Sequence, residues 1–265
     1  MPLTDFQARL ARLLSTNRTE DSYLAGGAAL HLEPNSRRFS NDLDDFHDSV
    51  ERVAEAFDRD RELLEKNRYA VSVDMTQPGY IRATIRLQNE ATKVEWAHDS
   101  SWRFLPTIFD ERVGYLLHPI DLAVNKVLAL AGRDEPRDFL DTLLVHQGTL
   151  PLGALCWAAA GKDPGFTPLS LLGLLRRRSR YRMEDFARLH LTEPVDLQAM
   201  KGEWLRAMEE ADAFVHSRPP EEIGCLYYSR GRQAFVQPAE GDRDAVPHLG
   251  RPGGVLPRVL EAPSA

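Results

Sequence analysis

Apolar residues recur at helical spacing at the start of the chain, where Phe6, Leu10, Leu13 and Leu14 mark one face of a short helix over 5–14. A turn over 17–21 leads into Tyr23, Leu24, Ala25, Gly26, Gly27, Ala28, Ala29 and Leu30. This run reads as a short strand, a glycine turn and the start of a helix that Pro34, Asn35 and Ser36 end. Residues 38–46 predict a strand despite their charge. Over 48–66 the apolar positions Val50, Val53, Ala54, Phe57, Leu63 and Leu64 return to helical spacing, with Asp48 or Ser49 placed to cap the helix. The period then changes to two. Residues 69–75 alternate, as do Ile81, Ala83, Ile85 and Leu87 against Arg82, Thr84 and Arg86. Pro78-Gly79 between the two runs is a type II turn signal, so they predict a hairpin. Residues 92–97 predict a third strand, with Val94 and Trp96 alternating against Lys93 and Glu95.

After Pro119 the pattern is helical. Residues 120–133 form a strong helix signal with Pro119 at its first position, and Asp134 is placed to cap the next helix, whose first turn holds Pro136. Further helices are expected near 152–160, 168–178, 183–190 and 196–216. Pro219-Pro220 marks a boundary, and residues 225–228 and 233–236 suggest a small hairpin. The Pro- and Gly-rich residues 237–265 read as an arm or mobile tail. The expected organisation is an α/β (α+β) domain over 1–118, a helical domain over 119–218 and a C-terminal hairpin and arm over 219–265.

Composition narrows the class. The chain has 265 residues, of which 43% are hydrophobic and 28% charged, the usage of a folded globular protein and not of a disordered one. The longest apolar run, 152–160, is about half the ~18–20 residues that a transmembrane helix requires, and the N-terminal residues lack a signal-peptide pattern. Two distant cysteines, Cys156 and Cys225, exclude a disulfide scaffold and a Cys-rich zinc site, and they suit a reducing cytoplasm. A net charge of −7 argues against nonspecific wrapping of nucleic acid, although a local basic patch can still contact it.

The chemistry concentrates in 26–44. On a strand Asp42 and Asp44 point to the same side. Two such carboxylates repel each other unless a cation lies between them, and hard oxygen donors suit Mg²⁺. If the strand carrying Glu95 pairs beside them, three carboxylates converge, a cluster that can hold two Mg²⁺ ions for in-line phosphoryl transfer. Gly26 and Gly27 permit close backbone approach, and the helix after them presents unpaired N–H groups to a phosphate. Downstream, Lys126 and Arg133 share a helix face, as do Asp138 and Asp141 on the next helix. Lys126 is suited to neutralising phosphate charge, and either aspartate could fix that lysine or contact base or ribose.

The order Leu24-Ala25-Gly26-Gly27 and then Arg38-Phe39-Ser40-Asn41-Asp42-Leu43-Asp44 resembles the nucleotidyltransferase superfamily signature. The Arg-x-Ser-x-Asp-x-Asp form is similar to the AbiEii/AbiGii abortive-infection toxin branch. Lys126 on its helix and Arg137-Asp138 with Asp141 resemble that branch too, so the likeness runs over about 20–145. It implies a polymerase-beta-like mixed sheet with flanking helices, followed by a helical domain. It also implies Mg²⁺-dependent transfer of a nucleoside monophosphate from an NTP to an acceptor, with RNA, and transfer RNA in particular, the expected one. Asp42, Asp44 and Glu95 would be the metal ligands, Gly26, Gly27, Arg38, Ser40 and Lys126 the triphosphate contacts, and Asp138, favoured over Asp141 by the family element, the helical domain's contribution. The active site is expected in the cleft between the two halves, and an antitoxin protein is an implied partner. The chain departs from the pattern in two places. Residues 28–41 make a long spacer, and Asp45 replaces a hydrophobic residue, although Asp45 should face away from the pair.

Arg176, Arg177, Arg178, Arg180 and Arg182 form a basic run that could grip an RNA backbone while Tyr181 stacks on a base; otherwise it is a helix C-terminus and a basic loop. His47, His98 and the two cysteines lack metal-site spacing and read as ordinary or buried residues. Two other functions fit the same residues: a transferase for a small molecule such as an antibiotic, and a nucleotide-binding or interaction module without turnover.

Overall fold

The computed structural model describes residues 3–32, 36 and 38–257. Its chain divides into two compact units. The first comprises the residues up to 102 with 106–122 and 189–194, and the second comprises 103–105, 123–188 and the residues from 195 on.

In the first unit, α1 (Asp5–Leu14) opens with a reciprocal cap. The Gln7 N–H donates to the Thr4 hydroxyl oxygen at 3.1 Å and the Thr4 N–H to Gln7 Oε1 at 3.0 Å. Then come β1 (Ser22–Ala25), α2 (Gly26–Leu30), β2 (Asp42–His47) and α3 (Val50–Lys66). Ser49, not Asp48, caps α3 by accepting the Arg52 N–H. The ending of α2 by Pro34 and Asn35 lies outside the described residues. The strand expected from residue 38 begins only at Asp42, because Arg38 bridges to Leu191 and the Phe39 N–H donates to the His190 carbonyl.

The predicted hairpin is β3 (Ala70–Gln77) and β4 (Tyr80–Leu87), turned at Gly79 with φ +72°. It continues into β5 (Glu90–His98), and three short strands follow, β6 (Trp102–Arg103), β7 (Ile108–Asp110) and β8 (Gly114–Leu116). The sheet order is β3-β4-β5-β2-β1-β8-β7, mixed because β2–β5 and β1–β8 are parallel.

The alternation in these strands sets two unlike faces. Leu43, Val94, Trp96, Ile81, Ala83 and Ile85 are buried in one core with Leu10, Leu14, Val53, Phe57 and Leu64 of α1 and α3. Phe57 meets Trp96 edge to face at 5.1 Å between centroids. Full burial of a phenylalanine side chain gains about 1.5–3 kcal/mol, so this pair contributes to the attachment of α3. The opposite face carries Asp42, Asp44 and Glu95, all half-buried.

α4 (Pro119–Gly132) carries the chain into the second unit, where α5 (Pro136–Gly148), α6 (Leu152–Lys162), α7 (Pro168–Arg177), α8 (Met183–Phe186) and α9 (Leu197–Ser217) follow. Asp134 does not cap α5. Glu135 occupies that position without a side-chain bond, and Asp134 instead accepts the Tyr181 hydroxyl at 2.6 Å. The helix expected over 183–190 is a single turn. Beyond 219 the hairpin is β9 (Leu226–Ser229) with β10 (Ala234–Val236). Within the expected arm β11 (Ala245–His248) pairs antiparallel with β9 and β12 (Arg251–Pro252) follows, and its residues 258–265 lie outside the described residues. His248 fixes it further, with Nε2 at 3.0 Å from the Phe104 carbonyl. Among the described residues no single helix is long and apolar enough to cross a membrane.

Candidate active site

Gly26 begins α2 in the left-handed region at φ +60°, where glycine has no steric penalty. Its position also allows no side chain, because a Cβ there would stand 1.8 Å from Asp44 Oδ2 and 2.5 Å from Asp44 Cγ. The next N–H, that of Gly27, donates to the same Oδ2 at 3.3 Å. A Cβ on Gly27 would meet Arg38 Nη2 and Ser40 Oγ, each at 3.0 Å. Ser40 in turn donates to the Asp42 carbonyl at 3.0 Å and lies 3.5 Å from Asp42 Oδ1. Six of the expected residues therefore meet around one turn of the first unit: Gly26, Gly27, Arg38, Ser40, Asp42 and Asp44. Antiparallel pairing of Ala25 with Asp44 brings the turn onto the aspartate strand. Gln7 steadies the approach by donating to the Ser40 carbonyl at 3.1 Å and lying 3.2 Å from the Thr92 hydroxyl.

Parallel pairing of β2 with β5 sets Asp44 opposite Glu95 and Asp42 opposite Lys93. Glu95 is engaged on its far side. Its Oε1 lies 3.7 Å from Arg82 Nη1, and it accepts a hydrogen bond from the Tyr80 hydroxyl. Burial and this bond push that hydroxyl up to about 12. The expected cluster of three carboxylates is not gathered. Among the described residues no three His, Cys, Asp or Glu side chains stand close enough together to hold a metal ion. The pair Asp42 and Asp44, two half-buried hard donors on one face, fits Mg²⁺ in its chemistry.

Asp45 faces the other way, as its place in the strand requires, and is almost fully buried. Arg18 Nε and Nη2 donate to its two oxygens at 2.9 and 2.7 Å, and Nη2 also reaches Asp60 Oδ2 at 2.7 Å. Asp60 further accepts Trp96 Nε1–H at 2.7 Å and Asn17 Nδ2–H at 2.9 Å. Burial opposes the Arg18 charge, but Asp45 and Asp60 together raise its pKa. Burial holds the Asp45 carboxyl above its ordinary range despite Arg18. This ion group belongs to the core under α3. Sequence reasoning missed it because Arg18 and Asp60 flank no motif.

In the second unit Lys126 is buried and its ammonium lies 2.8 Å from Asp141 Oδ2 and 3.9 Å from Asp138 Oδ1. Asp138 is held more tightly by Arg133, whose Nε and Nη2 donate to its two oxygens at 2.6 and 3.1 Å. The nearer partner of Lys126 is therefore Asp141, the alternative that shares a helix face with Asp138. The Thr142 hydroxyl donates within α5 to the Asp138 carbonyl at 2.7 Å, and it meets α4 at the Lys126 carbonyl, 3.3 Å away.

The basic run is largely occupied. Arg176 pairs with Asp212 at 2.9 Å, Arg178 with Asp134 at 3.6 Å, and Arg177 Nε donates to the Gly173 carbonyl. Tyr181 does not offer a stacking face. It is 7% exposed, its ring packs on Phe139 and Phe186, and its hydroxyl is bound to Asp134. Cys156 and Cys225 are free and buried, and burial pushes the Cys225 thiol up to about 11. His47 is fully buried, and neither ring nitrogen has a hydrogen-bond partner among the described residues.

A glycine turn locked against an Asp-x-Asp strand in a mixed sheet is the frame of a nucleotidyltransferase. Similarity to known proteins agrees. The family model described as nucleotidyl transferase AbiEii toxin, type IV TA system, matches residues 9–223, and the chain belongs to that family. No curated protein matches it by sequence. Among solved structures the fold is similar to MenT4, a nucleotidyltransferase toxin from Mycobacterium tuberculosis H37Rv, with a TM-score of 0.53 at 18% identity, covering 82% of this chain and 83% of that one. It is also similar to JHP933 from Helicobacter pylori, with a TM-score of 0.51 at 14% identity over 81% and 95% of the two chains. The chain is thus a nucleotidyltransferase of a toxin family.

Proposed function

We propose that this enzyme transfers a nucleoside monophosphate from an NTP to an RNA acceptor, transfer RNA being the expected substrate, and that an antitoxin restrains it in the cytoplasm. The observation that carries the reading is the contact of Gly26 and Gly27 with Asp44, with Arg38 and Ser40 against Gly27. Asp42 and Asp44 would hold Mg²⁺, which when bound neutralises phosphate charge as the transfer proceeds. Arg38, whose planar fork suits phosphate oxygens, and the Ser40 hydroxyl orient the triphosphate beside the glycine turn. The acceptor oxygen bonds to the α-phosphorus, the bridging P–O bond to the β-phosphate breaks, and pyrophosphate leaves. We assign the acceptor's proton to a carboxylate oxygen of Glu95, whose position is steadied by Tyr80 and Arg82. Lys126, held by Asp141, is the cation assigned to the β- and γ-phosphates, and Asp138, held by Arg133, is assigned to base or ribose.

The test is incubation of the full chain with each α-labelled NTP, Mg²⁺ and total cellular RNA. Label should enter RNA and be lost in Asp42→Ala and Asp44→Ala. Absence of labelled RNA with every NTP, under conditions where the protein is folded, would reject the reading.

A further inference from the structure

The sheet face that holds the carboxylates continues outward across β5, β4 and β3. The register puts Asp44, Glu95, Arg82 and Met75 in one cross-strand row and Asp42, Lys93, Thr84 and Ser72 in the next. Lys93 therefore stands between Asp42 and Thr84. Arg82 and Arg86 flank Thr84, two residues away on either side of its own strand, and so share its face. Both are diagonal neighbours of Lys93, a relation that separates residues by about 7–8 Å. Three cations thus surround one threonine, a single strand away from Asp42.

Like charges on one sheet face repel, more weakly on the diagonal than directly opposite, and the group attracts a negative partner. The compensation present is partial. Arg82 reaches Glu95 only at 3.7 Å, and its Nε is buried without a hydrogen-bond partner among the described residues. Asp74, at the bulge of β3, accepts the Thr84 hydroxyl at 2.7 Å. Lys93 and Arg86 are exposed and have no ion pair among the described residues. In a chain of net charge −7, which repels a polyanion at long range, a group of only partly compensated cations beside the proposed metal ligands is a local exception. The arginine run of the second unit is not equivalent, since Arg176 and Arg178 already face aspartates.

We infer that Lys93, Arg86 and Arg82 form the track for the phosphate backbone of the RNA acceptor, which runs over β4 and β5 and delivers its reacting end to the Asp42–Asp44 row. The inference rests on the RNA-transferase reading above and specifies the surface that reading lacks. The contacts are to phosphates, so the track positions an RNA without reading its sequence. A neutral small acceptor would gain nothing from three cations in this arrangement.

The test compares Lys93→Ala/Arg86→Ala with Arg59→Ala/Lys66→Ala. The second pair removes the same charge from exposed positions on α3. Initial rates of RNA labelling are measured against concentrations of total cellular RNA and of NTP, and RNA affinity is measured as a function of salt. For the track variant the KM for RNA should rise about tenfold or more at ~0.15 M salt. The salt slope of affinity should fall by about 1.4–1.8, as expected for two lost phosphate contacts. The KM for NTP and the melting temperature should stay unchanged, and the α3 variant should match wild type. An unaltered RNA KM and salt slope, or equal losses in the α3 variant, would overturn the track while leaving RNA transfer intact. A wild-type protein that labels only a peptide or small molecule would overturn both.

Discussion

Gly26→Ala isolates the contact on which the site depends. An alanine held at φ +60° costs about 1–2 kcal/mol relative to an ordinary backbone. Its Cβ would also stand 1.8 Å from Asp44 Oδ2, a distance no packing tolerates, so the carboxylate must rotate away. An off-rotamer side chain costs about 0.5–1.5 kcal/mol. Losing a charged acceptor for the Gly27 N–H costs about 1.5–3 kcal/mol more. The expected loss is about 3–6 kcal/mol, a large part of the ~5–15 kcal/mol stability of a typical protein. Gly27→Ala is the comparison. Its Cβ would meet only the ends of Arg38 and Ser40, each at 3.0 Å, and no positive φ is involved, so its cost should be about 1 kcal/mol or less. Equilibrium urea unfolding measures both. In an Asp44→Ala background the two nearest clashes vanish, and the Gly26→Ala penalty should shrink by about 1–3 kcal/mol in a double-mutant cycle. The refuting result is equal stability of the two glycine variants, or a Gly26→Ala penalty that Asp44→Ala leaves unchanged.

Asp45→Asn should destabilise by about 3–5 kcal/mol, because Arg18 would keep its buried charge with one carboxylate missing, whereas Asp44→Asn should cost far less stability and abolish transfer; denaturant midpoints and labelling rates together decide this. Lys126→Met should also cost about 3–5 kcal/mol, since Asp141 and Asp138 are fully buried, and a melting temperature equal to wild type would contradict the pairing. Acid should act through His47, which burial and then the charges of Arg18 and Arg52 lower from 6.5 to about 3. Between those values the unfolded chain binds the proton and the folded one does not, so stability falls as pH drops from about 6.5 towards 3, by up to ~1.4 kcal/mol per pH unit. His47→Gln should flatten that part of the stability–pH curve, and an unchanged slope would show that His47 does not carry it.

What the sequence made legible and what it hid divide along a physical line. Alternation by twos places Asp42 and Asp44 on one side and Asp45 on the other without knowledge of any neighbour, and the register with β5 agrees, setting Asp44 opposite Glu95. The hairpin was legible because Pro78-Gly79 has one easy backbone solution, which Gly79 adopts. Position along the chain says nothing about which charges meet across it. Arg18 finds Asp45 and Asp60 at separations of 27 and 42 residues, and Tyr80 and Arg82 engage Glu95 from the adjacent strand. Lys126 shows the intermediate case. Helical spacing puts Asp138 and Asp141 on one face and leaves both open as partners, and the choice falls to Asp141 because Arg133, five residues before Asp138, already grips that aspartate with two hydrogen bonds. The β11 strand escaped notice for a related reason. Ala245–His248 contains Pro247 and lies in a Pro- and Gly-rich stretch, so its strand character comes from pairing with β9 and not from its own propensity.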